Sequence, residues 1–80
     1  MEIAVIAHDG KKTDLVQFLI KNKSVLQQEK ITLIATGTTG GKAEEAGFRV
    51  TRMLSGPLGG DAQIAGRVAE GKTQMVFFFK

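Results

Sequence analysis

Three short strings hold most of the residues in this 80-residue chain that could do chemistry: "AHDGKK" (7–12), "ATGTTGG" (35–41) and "SGPLGGDAQIAG" (55–66). In the second, Thr36, Gly37, Thr38 and Thr39 combine a glycine, which lets backbone N–H groups approach an oxyanion, with hydroxyls that add directed donors. If the string opens a helix, its first-turn N–H groups and the macrodipole favour an anion, and phosphate is the natural guest. A polar turn capped by threonines would have the same composition. The spacing matches neither a Walker A loop nor GxGxxG, so neither a nucleoside triphosphate nor a dinucleotide is expected. Ser55 and Gly56 repeat the pattern of hydroxyl and approachable N–H, with Pro57 fixing the turn, although a β-turn alone would use the same residues.

Charged groups sit beside these turns. Lys12 falls near the start of a helix, where its ammonium opposes the macrodipole unless an anion is present. His8 directly follows an apolar run, at a loop edge where its imidazole could donate to a ligand oxygen or serve as a structural hydrogen-bonder. Asp9 reads as a cap or as an orienter of His8 and Lys12. Asp61 has two readings. As an N-cap or first-turn residue it would stabilise its helix by roughly 0.5–2 kcal/mol. A carboxylate beside bound phosphate is electrostatically costly, however, which suggests a task elsewhere on the same ligand, such as removing a carbon-bound proton.

Composition bounds the alternatives. The chain has room for one domain, residues 1–80, with a thin core. It has no cysteine and one histidine, so neither disulfides nor thiolate or multi-histidine metal sites are expected. Net charge is +3, but the basic residues are scattered, tryptophan and tyrosine are absent, and three of the five phenylalanines sit together. That pattern does not suit nucleic-acid binding and leaves a mild bias towards small anions. The opening "MEIAVIAHDG" is too short and wrongly flanked for a signal peptide or membrane span, so the cytoplasm is expected.

The elements that must position these residues alternate. Apolar runs at 2–7 and 31–35 read as strands buried on both faces, 48–54 as a strand nearer an edge, and 74–79 as a fourth strand. Residues 13–28 carry Leu15, Phe18, Leu19, Val25 and Leu26 at helical spacing, with Thr13 or Asp9 available as cap. A short helix over 39–47 ends at Gly47, where a left-handed C-cap suits glycine, and another helix covers 60–71. The expectation is an α/β fold of three layers, α/β/α, around a mainly parallel sheet with right-handed crossovers. In such sheets ligands bind beyond the carboxyl ends of the strands, and all three strings fall there.

The strings "AHDGKK", "ATGTTG" and "SGPLGGDAQIAG", in this order and across nearly the whole chain, resemble the methylglyoxal synthase family, the last string most specifically. The resemblance implies a Rossmann-like, methylglyoxal synthase-like fold and a lyase that converts dihydroxyacetone phosphate to methylglyoxal and inorganic phosphate. It implies no cofactor or metal, and a homohexamer inhibited by phosphate. Carried over by position, Asp61 is the catalytic base, His8 and Lys12 are substrate contacts, Thr36, Gly37, Thr38 and Thr39 form one arm of a phosphate cradle, and Ser55 and Gly56 form the other. Family members continue beyond the "FFF" strand into an Asp-Pro turn, a loop with a histidine and an aspartate, a fifth strand and closing helices. On that comparison the last strand-helix unit is missing here, the domain is incomplete at its C-terminus, and the 80 residues alone are expected to show little or no turnover. A non-catalytic phosphate-binding module of the same fold, or an inactive fragment, is the alternative.

Overall fold

The computed structural model describes residues 1–53 and 59–79, apart from the side chains of Asp9 and Asp61. Four strands, β1 (Glu2–Ala7), β2 (Thr32–Thr36), β3 (Val50–Met53) and β4 (Met75–Phe79), form one sheet in the order β3-β2-β1-β4. The pairings among these strands are all parallel, with Val5 opposite both Ala35 and Phe77, and Thr36 opposite Met53. The helices are α1 (Lys12–Lys21), entered through a 3₁₀ turn at Asp9–Lys11, then α2 (Lys23–Leu26), α3 (Gly37–Glu45) and α4 (Gly60–Ala69). Strand order reverses at the boundary between β1 and β4, which is where an open parallel sheet leaves a crevice.

Alternate strand residues serve opposite faces. Ile3, Val5, Leu33 and Ala35 pack with Leu15 and Leu19 of α1, Leu26 of α2, Ala43 of α3 and Phe48. Ala4 and Ile34 point the other way and meet Ile64 of α4, flanked by Ile6 and Met53. Three layers result, with α1, α2 and α3 on one face and α4 on the other. Ile3, Ala4 and Val5 are all buried, as a strand covered on both sides requires. The expected edge position of β3 is also observed.

Helical segments depart from the expected boundaries for local reasons. The segment 13–28 is not one helix, because Asn22 interrupts it. Its side-chain Nδ2 donates to the Phe18 carbonyl at 2.8 Å, competing with the helical ladder, and its backbone leaves the helical region. The chain then makes a single further turn, α2, that buries Leu26 and leaves Val25 53% exposed, although helical spacing grouped the two together. Neither Thr13 nor Asp9 is the N-cap of α1, since the preceding 3₁₀ turn puts Lys11 there. Gly47 does end α3 in the left-handed region, at φ +93°. The Phe48 N–H donates to the Ala43 carbonyl and the Gly47 N–H to the Glu44 carbonyl, which is the Schellman arrangement. Gly71, at φ +76°, ends α4 with the same pair of bonds.

At the amino edge of the sheet a charge network joins three elements distant in sequence. Arg67, in the last turn of α4, donates through Nε and Nη2 to the two carboxylate oxygens of Glu2 at 2.8 and 2.6 Å, and the Thr73 hydroxyl donates to the same carboxylate. Gln74 completes it: its N–H donates to the Glu2 carbonyl and its side-chain oxygen accepts from the Glu2 N–H. The Arg67 hydrogen bond holds the Glu2 carboxyl below its ordinary pKa, against the opposing effect of partial burial, with Thr73 assisting.

Candidate functional site

The opposite, carboxyl edge collects the chemistry-bearing residues. β1 ends at Ala7, in register with Phe79, and the His8 N–H continues the ladder by donating to the Phe79 carbonyl at 3.0 Å. His8 is extended, with ψ 158°, and its carbonyl accepts from the Lys11 N–H at 2.8 Å, closing the 3₁₀ turn. This geometry turns the chain sharply from a buried strand into α1. His8 is left exposed over the reversal of strand order, with its imidazole 5.6 Å from the Phe78 ring at a tilt of 46°. Lys12 is the first residue of α1 and is half-buried.

On the neighbouring strand, β2 runs directly into α3 with no intervening loop. Thr36 is both the last residue of β2 and the N-cap of α3, at φ −67° and ψ 161°. The helix therefore starts two residues earlier than periodicity indicated, and Gly37, Thr38 and Thr39 form its first turn. Among the described residues no N-cap side chain closes this terminus, nor that of α1. The first-turn N–H groups of a helix have no intrahelical acceptor, so an uncapped terminus at a sheet edge presents donors to whatever lies beyond it. Thr36 and Thr39 are buried while Thr38 is exposed. The hydroxyl facing solvent is thus Thr38's, while Thr39 is packed inside, 1% exposed.

α4 begins after Gly59, whose φ of +96° supplies the left-handed N-cap conformation. Asp61 is the second residue of α4, so its backbone lies in the first turn and the N-cap position belongs to glycine. Its side chain, that of Asp9, and the turn containing Ser55 and Gly56 lie outside the described residues. β3, which leads into that turn, ends beside Thr36 at the same edge. Of the residues singled out in the sequence, the fold thus brings His8, Lys12, Thr36, Gly37, Thr38, Thr39 and the backbone of Asp61 to the carboxyl side of the sheet. Among the described residues no cluster of three or more histidine and carboxylate side chains could hold a metal, and no helix is long and apolar enough to cross a membrane.

Two residues beside the site escaped sequence reading. Phe78 counted only as one member of an apolar run, yet parallel pairing of β1 with β4 sets its ring against His8. Arg52 counted as one of the scattered basic residues, yet its guanidinium bonds Glu44 of α3. Strand alternation puts Arg52 on the α3 side, which is the only signal the sequence carried.

A family model described as MGS-like domain matches residues 14–80. The chain belongs to the MGS-like domain family. This MGS-like chain is 58% identical to a methylglyoxal synthase from Clostridium beijerinckii over an alignment of 80 positions that covers 99% of the chain and 66% of the relative. It is 53% identical to a methylglyoxal synthase from Thermus thermophilus, covering 98% of the chain and 61% of the relative. The crystal structure of methylglyoxal synthase from Elizabethkingia anophelis superimposes with a TM-score of 0.91 at 48% identity, covering 98% of this chain and 51% of that one. The α/β fold is therefore that of its relatives. The chain spans about two thirds or less of their length.

Proposed function

We propose that the protein carrying this chain is a methylglyoxal synthase, a carbon-oxygen lyase that converts dihydroxyacetone phosphate to methylglyoxal and inorganic phosphate. The observation that carries this reading is the uncapped first turn of α3, Gly37–Thr38–Thr39, opening from the carboxyl end of β2 beside His8 and Lys12. Relatives of that name at 53–58% identity support it. The phosphate accepts hydrogen bonds from the α3 N–H groups and the Thr38 hydroxyl, with Ser55 and Gly56 as the second arm and the Lys12 ammonium offsetting its charge. The Asp61 carboxylate takes a proton from the hydroxymethyl carbon, and the resulting enediolate keeps its negative charge against neighbouring donors, His8 among them. The electron pair then expels phosphate by breaking the C–O bond, which must stand out of the enediolate plane to overlap its π system, and the enol left behind takes up a proton at the carbon that carried the phosphate to give methylglyoxal. A cradle that fixes the direction of the phosphate fixes that angle.

The resemblance adds a cofactor-free and metal-free cytoplasmic homohexamer in a bypass of glycolysis, inhibited by its product phosphate. Residues 1–80 fall within one methylglyoxal synthase-like domain of it. Methylglyoxal release from dihydroxyacetone phosphate by the full-length protein, compared for the wild type and Asp61→Asn, tests the assignment. The variant is expected to lose about 10²–10⁴-fold in kcat, the usual contribution of a general base, with KM changed little. Wild-type turnover in the variant overturns the role of Asp61.

A further inference from the structure

The Arg52 side chain crosses α3 where that helix has two consecutive glycines. A Cβ built on Gly40 falls 2.9 Å from Arg52 Cγ and 3.4 Å from Cδ, the first a separation that real Cβ atoms do not adopt, and 3.7 Å from Val50 Cγ1. One built on Gly41 stands 3.7–3.8 Å from the guanidinium, an ordinary contact. Beyond the glycines the Arg52 Nε donates to Glu44 Oε1 at 2.7 Å, and Nη2 donates to the same oxygen. Both partners are well exposed, at 53% and 40%, and an exposed pair contributes little to stability. The cost of two glycines inside a nine-residue helix is therefore not offset by the ion pair as a stabilising contact.

We propose that Arg52, Gly40 and Glu44 form a strut that fixes the first turn of α3 against β3, so that all three are positioning residues for substrate. α3 presents Gly37, Thr38 and Thr39 one turn before Gly40, and β3 pairs Arg52 with Ala35, just ahead of that turn. With no Cβ at Gly40 the Arg52 stem lies flat on the helix and holds α3 close to β3. The Glu44 carboxylate fixes the far end of the stem. A methyl group at position 40 meets the near, stiff end of the arginine, so the helix rather than the side-chain tip must move, and its first turn moves with it.

The inference rests on the phosphate reading of that turn, and its test separates the two. Backbone amide spectra of the wild type, Gly40→Ala, Gly41→Ala, Arg52→Ala and Gly40→Ala/Arg52→Ala are recorded in a titration with inorganic phosphate, alongside the thermal midpoint of each. Gly40→Ala shifts the resonances of residues 37–39 before any phosphate is added and weakens phosphate binding by about tenfold, the worth of one charge-assisted hydrogen bond. Gly41→Ala does neither. Arg52→Ala alone weakens phosphate binding less than Gly40→Ala does, and the double variant returns both properties to the Arg52→Ala values, because the obstructing stem is gone. Should Gly40→Ala not fold, Glu44→Arg and Glu44→Arg/Arg52→Glu replace it, with the charge-reversed pair expected to recover what the single change loses. Unshifted 37–39 resonances in Gly40→Ala, a double variant no better than Gly40→Ala, or charge reversal without recovery overturns the strut. A wild type whose 37–39 resonances ignore phosphate overturns the phosphate reading instead, while the phosphate-free shifts still decide the strut.

Discussion

At the amino edge of the sheet the Glu2 carboxylate accepts from Arg67 and Thr73 while the Glu2 N–H donates to the Gln74 side-chain oxygen, so the residue's charge and hydrogen-bonding capacity are answered within the chain. At the carboxyl edge α1 and α3 begin with no N-cap side chain closing them. An end of the sheet that satisfies its polar groups internally contributes to stability. One that leaves helix donors facing outward is arranged for a ligand that supplies the missing acceptors. The two edges are separated by a strand length of apolar residues, so substitutions at one should leave the other unmoved.

The largest effect on stability is expected at the amino edge. Glu2→Ala removes hydrogen bonds to a charged acceptor worth roughly 1.5–3 kcal/mol, and should lower the thermal midpoint by about 5–20 °C in a domain of this size. Substrate KM should stay within about twofold, since the site is a strand length away. The same group gives the edge a pH signature. Because the folded-state pKa of Glu2 is depressed, its contribution is fully present above the ordinary value of 4.5 and is lost as pH falls through the lower folded value. A plot of thermal midpoint against pH should therefore fall more steeply below 4.5 in the wild type than in Glu2→Gln. Parallel curves contradict the role given to Glu2.

The carboxyl edge should respond in the opposite sense. Lys12→Ala is expected to raise KM for the phosphate-bearing substrate by roughly ten- to a hundredfold, the range of a charge-assisted contact. Its thermal midpoint should change much less than that of Glu2→Ala, since a lysine at a helix N-terminus gains nothing from the macrodipole. A large drop in midpoint with KM unchanged would place Lys12 among the structural residues and blur the contrast between the edges.

Local patterning carried much of the fold. The β-branched run at 2–7 coincides with β1, the glycine at 47 stops α3, and the alternation of strand and helix yields the parallel sheet. These features follow from propensity and turn chemistry, which act within a few residues. The break at Asn22 was less legible, because Leu15, Leu19 and Leu26 keep a helical spacing on either side of it. What settles the break is a side-chain bond to the Phe18 carbonyl. The same limit applies around the site. The strings that present His8, Lys12 and Thr36–Thr39 can be recognised from residue type alone. Phe78 against His8, Arg52 across Gly40 and Arg67 on Glu2 depend on strand order and helix placement, and the last pair is 65 residues apart in sequence.

Titration of the isotope-labelled protein with inorganic phosphate, read at every backbone amide, tests the contrast between the edges most directly. Resonances of Gly37, Thr38 and Thr39 should move in a saturable way, with His8 and Lys12 following and Glu2, Arg67 and Thr73 still. Shifts centred on the Glu2 and Arg67 edge, or none at α3, would contradict the account.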